Sequence, residues 1–145
     1  MIQNLFNKGS VPFLENLIHF SAARHKAIAN NIANIDTPGY KTIDLPQDDF
    51  KRALLEAVEE ANEKSVPVLE FEGIDGVRPR PAGGFEPEYS ERIDKFSVLK
   101  HDGNNVDAEK EVIEMLKNSG IHDTAVSILN MQLAMIRSAI SERII

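Results

Sequence analysis

Apolar residues recur at alternating steps of four and three near both ends of this 145-residue chain. Such spacing returns side chains to one narrow strip of a helix and is typical of helices that pair along that strip. We therefore predict two long helices, and we call the strip on each helix its seam. The N-terminal seam contains Leu14, Ile18, Ser21, His25, Ile28, Ile32 and Ile35, and the C-terminal seam contains Val112, Met115, Ser119, His122, Val126, Leu129, Leu133, Ile136 and Ile140.

Local signals mark the ends of both helices. Pro12 suits a first helical turn, because the N–H that it lacks would have no partner there. A Thr-Pro-Gly-Tyr turn at residues 37–40 is expected to end the first helix, since the proline disfavours helix before it and the glycine permits the positive φ of a type II turn. Asp107 is the expected N-cap of the second helix, which would reach residue 143 and measure about 55 Å. Gly120 costs about 1 kcal/mol relative to alanine, so a kink or fraying can occur there.

The composition changes between the two helices, where residues 41–103 contain five of the seven prolines and five of the eight glycines. Within this region we predict a short helix over 51–64, a short strand over 66–73 and an irregular loop over 76–90. The predicted fold class is mainly α, with paired, coiled-coil-like terminal helices and a short irregular, β-containing insert. Residues 1–45 and 92–145 would form the helical core, and residues 46–91 a variable middle region.

Composition and charge exclude several classes of function. A net charge of -7 argues against binding to nucleic acid or to an anionic membrane surface. The chain has no cysteine, which excludes disulfides and cysteine-ligated zinc. It has no apolar run of the roughly 18 residues that a membrane span needs, so no membrane insertion is expected. Its first 20 residues lack the pattern of a secretory signal, so export would need another route.

The candidate chemical motifs are weak. His25 and His122 lie on the two seams and can meet if the helices pair in register, but half-buried seam histidines are the simpler interpretation. Residues 102–113 begin like a calcium loop, yet Ile113 stands where that loop needs glutamate. The RPRP segment at 78–81 can form a polyproline ligand, although a solvated loop is the preferred reading. We therefore expect no catalytic, cofactor or metal site, no small-molecule substrate and no enzymatic activity.

The end of the N-terminal helix has an unusual composition, NNIANIDTPGYK at residues 30–41. Asparagine is a mediocre helix former, yet it occurs here at Asn30, Asn31 and Asn34. Amides both donate and accept hydrogen bonds, so these side chains can cross-link packed helices and satisfy carbonyls at the helix end. The alternative is that these asparagines only fray the end of the helix. Because its turn needs positive φ, Gly39 is expected to be the least replaceable residue, whereas Asn31→Ser should be mild.

Two separated motifs carry a resemblance to a known family. AIANNIANIDTPGYK, residues 27–41, closely resembles the signature of the flagellar rod, hook and hook-filament junction proteins, and DGNNVDAEKEVIEMLKNS, residues 102–119, resembles the stretch that opens their C-terminal helix. The resemblance extends over residues 1–45 and 92–143, and the short chain favours a proximal rod subunit. Its motif residues are Asn30, Asn31, Asn34, Asp36, Thr37, Pro38, Gly39 and Tyr40 in the first stretch, and Asn104, Asn105, Val106 and Asp107 in the second.

The resemblance implies a structural subunit that polymerises into the helical drive shaft of the flagellar rod in the periplasm. It also implies export through the flagellar type III apparatus without a cleaved signal peptide. The partners would be copies of the same chain, other rod proteins, basal adaptor and membrane-ring proteins and the export apparatus. The residues expected to mediate assembly are Leu14, Ile18, Ile28, Ile32, Val126, Leu129, Leu133 and Ile136.

Two other functions stay open from the sequence. One is a different axial protein of the flagellum, such as another proximal rod subunit, and the other is a cytoplasmic helical adaptor or chaperone. Two helices without a third layer would leave apolar surface in water, so the isolated subunit is expected to be monomeric, with mobile terminal segments and a structure that completes on assembly.

Overall fold

The computed structural model describes residues 10–64, 77–80, 85–92 and 101–141. Its long helices confirm the predicted class, with one at each end of the chain and a strand-containing region between them. No helix in these ranges is long and apolar enough to cross a lipid bilayer. The elements are α1 (Ser10–Ala33), β1 (Ile43–Asp44), α2 (Gln47–Lys64), β2 (Val77–Pro79), β3 (Phe85–Pro87), β4 (Ser90–Glu91) and α3 (Ala108–Ser141).

Helices α1 and α3 pair in antiparallel fashion, because Arg24 bonds to Glu114 while Ser21, one turn earlier, bonds to Asn118 and His122. Buried residues of both helices repeat at the predicted interval of seven. They include Leu14, Ser21 and Ile28 on α1 and Glu111, Asn118 and Ala125 on α3. On α3 the predicted seam is displaced by one residue, because positions 111, 118 and 125 are buried in place of 112, 119 and 126. Two of the buried residues are polar and bond to α1, Glu111 to Asn31 and Asn118 to Ser21.

The predicted helix ends are confirmed by hydrogen bonds. Asp107 caps α3, with its Oδ1 accepting from the backbone N–H groups of Glu109 at 3.0 Å and Lys110 at 3.3 Å. After α1 ends, Tyr40 N donates to Thr37 O at 3.3 Å and Gly39 has a φ of 73°, as a type II turn requires. Helix α3 passes Gly120 without interruption over 34 residues, which gives it a length of about 51 Å.

The prediction of an irregular loop over residues 76–90 is wrong, because the described residues of this segment take part in two antiparallel strand pairings. Strand β2 pairs with β3, with Val77 opposite Pro87, and β4 pairs with β1, with Ser90 opposite Asp44. Prolines are tolerated here because, among the described residues, each ribbon has two strands and every strand is an edge. The Arg78–Pro79 step lies in β2 and not in a polyproline helix. The strand predicted over 66–73 lies outside the described residues.

The middle region forms a third layer against α1. Phe20 of α1 stacks on Phe50 of α2 at a centroid distance of 3.9 Å, and Phe85 of β3 packs within 5.1 Å of Phe50. Helix α1 is therefore covered by α3 on one side and by the middle region on another, which corrects the expectation of a two-layer hairpin. The buried cluster consists of Phe20, Ala23, Leu45, Phe50, Leu54, Val77 and Phe85.

Candidate functional site

The two sequence motifs meet at one end of the helix pair. The Asn104 side chain is fully buried there, and its Nδ2 lies within hydrogen-bond distance of three main-chain carbonyls that follow α1. These carbonyls belong to Asn34 at 3.0 Å, Ile35 at 3.1 Å and Thr37 at 2.8 Å. The end of α1 is thus capped by an amide from the second motif. We call this contact, between residues 30–42 and 102–107, the clasp.

The surrounding residues hold Asn104 in place. Its Oδ1 accepts from Val106 N at 2.7 Å, and its own backbone N–H donates to Asp102 Oδ1 at 3.0 Å. Gly103 has a φ of 79°, a conformation that glycine adopts without strain. The Asp-Gly-Asn-Asn segment therefore forms a tight turn whose geometry directs the amide toward α1.

Backbone and side-chain bonds extend the clasp on both sides of Asn104. Gly39 N donates to Asp102 O at 3.0 Å, and Lys41 Nζ donates to Gly103 O at 2.8 Å. Asn105 Oδ1 accepts from the backbone N of Thr42 at 2.7 Å and from its hydroxyl at 2.8 Å. Residues 34–42 and 102–105 are thus joined by a series of backbone and side-chain hydrogen bonds.

Asn31 links three elements from a fully buried position. Its Nδ2 donates to Ile43 O at 2.8 Å and to Glu111 Oε2 at 2.9 Å, so it joins α1 to β1 and α3. Its Oδ1 accepts from Ile43 N at 3.0 Å and from the Tyr40 hydroxyl at 3.1 Å. Burial and the nearby Glu111 carboxylate raise the pKa of Tyr40, which keeps that hydroxyl protonated.

The other two asparagines of the first motif act locally. Asn34 Nδ2 donates to Asn30 O at 2.8 Å, and Asn34 Oδ1 accepts from the Thr37 hydroxyl at 3.2 Å. Asn30 Nδ2 donates to Tyr40 Oη at 3.2 Å, so it helps to hold the tyrosine. Asp36, Thr37, Pro38 and Gly39 are exposed. Of the three amides, Asn31 is therefore the one that cross-links helices.

For the stability of the subunit, this geometry predicts a ranking of Gly39 and Asn31 opposite to the one expected from the sequence. A Cβ on Gly39 would have nothing within 4 Å, so Gly39→Ala should cost only the strain of its positive φ, about 1–2 kcal/mol. Asn31→Ser cannot make all four bonds and leaves buried partners unsatisfied, which should cost about 2–4 kcal/mol. We expect urea unfolding to show the larger loss for Asn31→Ser. A Gly39→Ala variant that is the less stable of the two would restore the sequence-based ranking.

A network of buried charges lies beside the clasp. Arg24 is 2% exposed and binds Asp44 through two parallel hydrogen bonds, with Nε–Oδ1 at 2.9 Å and Nη2–Oδ2 at 3.0 Å. Its Nη2 also donates to Glu114 Oε2 at 2.8 Å. Burial alone would raise the pKa of Glu114, but hydrogen bonds and charge from Arg24 and Lys117 outweigh it and hold the pKa below its ordinary value.

Arg92 joins the charge network to the end of the middle region. Its guanidinium lies 3.4 Å from Asp44 Oδ2 and donates to Glu111 Oε1, while its backbone N donates to Thr42 O at 2.7 Å. This network was not predicted from the sequence. The sequence offered one sign of it, since Arg24 and Glu111 are charged residues at helical spacing from apolar ones and so fall on the buried face of a helix. A local pattern cannot show that the two belong to one network, because they are far apart in sequence.

A notch lies farther along the contact between α1 and α3. It has a volume of about 410 Å³, and small or polar side chains surround it. Asn118 Nδ2 donates to Ser21 O at 2.8 Å, and the Ser21 hydroxyl lies 2.9 Å from His122 Nδ1. No group of three or more metal-binding side chains occurs within the described ranges. The notch is lined by Ser21, Ala22, His25, Lys26, Asn118, Ser119, His122 and Asp123.

Comparison with known proteins shows the family to which the chain belongs. A family described as "Flagella basal body rod protein" matches residues 21–41, which form the second half of α1 and the turn after it. The chain is 30% identical to the flagellar basal body rod protein FlgB of Borrelia hermsii over 126 residues, 86% of this chain and 90% of that protein. The chain belongs to the FlgB family.

Other FlgB proteins match to a similar extent. FlgB of Escherichia coli K12 is 30% identical over 125 residues, covering 83% of this chain and 85% of that protein, and FlgB of Bacillus subtilis 168 is 28% identical over 125 residues, 84% and 85%. Membership of the FlgB family confirms the resemblance and identifies a structural subunit of the flagellar basal body rod. It does not favour the alternatives of another axial protein or a cytoplasmic adaptor.

Proposed function

We propose that this chain is a proximal-rod subunit that polymerises through α3 into the helical shaft that transmits motor torque across the periplasm. The observation that supports polymerisation is a row of large apolar side chains on α3 that stay exposed in the subunit. Ile121, Ile128, Met131 and Met135 are 47%, 40%, 62% and 58% exposed. We call these four residues the outer stripe.

The outer stripe has the form of a helix-packing surface. Ile121, Ile128 and Met135 are seven residues apart, and Met131 lies one turn from the last two, so all four share one flank of α3. Full burial of such side chains gives about 1.5–3 kcal/mol each. Contiguous exposed apolar surface of this kind marks interaction sites in soluble proteins. In a rod subunit, the neighbours in the shaft would cover it.

The predicted assembly residues divide into two groups by burial. Leu14 and Ile28 are buried within the subunit, so they are not available to a neighbour. Half-buried positions keep part of their surface available to a neighbour. These are Ile18, Ile32, Val126, Leu129, Leu133 and Ile136.

The clasp and the charge network would serve transmission of torque. They fix the relative position of α1, β1 and α3 with buried, directional bonds at one end of the helix pair. A load applied to α3 would therefore pass to α1 and the middle region without slippage along the apolar seam. The wider partners in this proposal are other rod proteins, the basal adaptor and membrane-ring proteins and the flagellar type III export apparatus, which would deliver the chain without a cleaved signal peptide.

Ile128→Asp tests the proposal. The side chain is exposed in the subunit, so the charge stays hydrated and the melting temperature should change by no more than about 2 °C. In an assembled rod the same charge would be buried without a partner, at a cost of several kcal/mol. We expect a strain that lacks its own rod gene to swim with the unmodified chain and to fail with Ile128→Asp.

Asn130→Asp is the matched control, because Asn130 is exposed and lies about 100–180° around α3 from the four residues of the outer stripe. It should support swimming. Normal swimming with Ile128→Asp, at equal expression, would show that the outer stripe is not part of the assembly. Failure of the unmodified chain to restore swimming would count against the proximal-rod function itself.

A further inference from the structure

The notch and the outer stripe lie on opposite flanks of the helix pair. Successive residues of a helix are rotated by about 100°, so positions can be placed relative to Asn118, which is buried against α1. Ser119 and Asp123 then lie on one flank of α3, where they line the notch, and the outer stripe lies about 60–140° to the other side. The middle region packs on α1 away from the notch, through Phe20 and Ala23.

The notch has the form of a hole between two helices. Its lining residues occupy positions i, i+1, i+4 and i+5 on both α1 and α3, which is how two facing turns enclose a space. Short side chains such as Ser21, Ala22 and Ser119 leave the space open. A volume of about 410 Å³ holds on the order of a dozen waters, so large side chains from another helix can enter by displacing them.

The charges that line the notch do not repel an uncharged occupant. Lys26 and Asp123 line the notch, have opposite signs and are exposed, so their charged ends can stay in water beside an occupant, and His25 and His122 line it as well. An uncharged stripe leaves the opposite charges of Lys26 and Asp123 to neutralise each other. The outer stripe meets this condition, because the residues on its flank from 121 to 135 are Ile121, Thr124, Ile128, Met131 and Met135.

We infer that copies of this chain pack side by side, with the outer stripe of one copy seated in the notch of the next. The inference rests on the proposed function and specifies which surfaces meet. A contact between two different surfaces on opposite flanks leaves a free notch at one end of the row and a free stripe at the other, so it continues into a ring or a helix. Pairing of stripe with stripe would instead stop at two copies.

Cysteine crosslinking tests the arrangement directly, since the chain has no cysteine of its own. Ala22→Cys marks the notch and Ile128→Cys marks the outer stripe. The two variants are produced together in a strain that lacks its own rod gene, and swimming cells are treated with a short thiol crosslinker. We expect a crosslinked dimer from the mixture and none from either variant alone, because each surface would face the other kind. Asn130→Cys mixed with Ala22→Cys is the control and should give none, because Asn130 lies on the flank of α3 away from the outer stripe.

Two outcomes would overturn the inference. A dimer from Ile128→Cys alone would show stripe-to-stripe pairing, and a mixture without crosslinks in swimming cells would show that another protein covers these surfaces. If either cysteine stops swimming, Ser119→Cys and Met131→Cys provide a second notch-and-stripe pair. Failure of the unmodified chain to restore swimming would instead reject the proposed function, so the two failures are distinguishable.

Discussion

Asn104→Asp is expected to open the clasp and to lower the melting temperature by roughly 10 °C. The substitution keeps the size of the side chain but replaces an NH₂ group that donates to three carbonyls with a carboxylate oxygen that repels them. Because the site is fully buried, the loss should be at least about 3 kcal/mol. For a chain of this length that corresponds to several degrees per kcal/mol, and thermal unfolding followed by circular dichroism measures it.

Asn105→Asp is a control with the same chemistry at the next residue. Asn105 accepts both of its bonds from Thr42 through Oδ1, and an aspartate keeps that acceptor. We therefore expect its melting temperature to stay within a few degrees of the unmodified chain. Equal losses for both variants would mean that added negative charge in this segment, and not the cap on α1, determines the effect.

Arg24→Met should cause the second large loss, about 3–5 kcal/mol in the free energy of unfolding. Methionine fills most of the volume but leaves the Asp44 and Glu114 carboxylates without the guanidinium that they share. Urea unfolding at neutral pH measures the loss. Arg52→Met is the comparison, because Arg52 and its partner Asp49 are 66% and 43% exposed and such pairs contribute little. Similar losses for the two variants would contradict a special role for the buried pair.

The same contact predicts a pH dependence. The pKa of Glu114 is lower in the folded chain than in the unfolded chain, so its ionisation stabilises the fold above the ordinary pKa of about 4.3. This contribution is lost as the pH falls from that value through the folded pKa. The stability difference between the unmodified chain and Arg24→Met should therefore narrow below about pH 4. A difference that stays constant from pH 7 to pH 3 would exclude a contribution from Glu114.

Local rules predicted the features that depend on neighbours in sequence. Pro12 and Asp107 mark the starts of helices because both act within one turn of their own position. The turn at residues 37–40 follows from the fixed φ of proline and the freedom of glycine. The seven-residue interval was also correct, but its phase on α3 was off by one position, since Glu111 and Asn118 are buried despite their polarity.

Contacts between segments that are distant in sequence could not be predicted from such local rules. The β2–β3 pairing was hidden by Pro79 and Pro87, which disfavour strands in general but are harmless in a two-stranded ribbon. The motif was expected to satisfy its own helix end. Asn34 does so for the Asn30 carbonyl, but the carbonyls of residues 34, 35 and 37 are bound by Asn104, 70 residues away from Asn34. A single sequence shows that Asn31, Asn104 and Arg24 are unusual, but it does not show which groups they meet.

The cap on α1 also has a consequence for the order in which the fold completes. The side-chain amide of Asn104 reaches the carbonyls of residues 34, 35 and 37 only when residue 104 arrives, so a chain that ends before the second motif lacks this cap on its first helix. Closing a loop of about 70 residues is slow relative to local helix formation. We therefore expect the antiparallel pair to close from the clasp outward, with Ile28 and Leu14 finding their partners afterwards. The last contacts to form would be those nearest the end of α3, the part of the chain that presents the outer stripe to a neighbour.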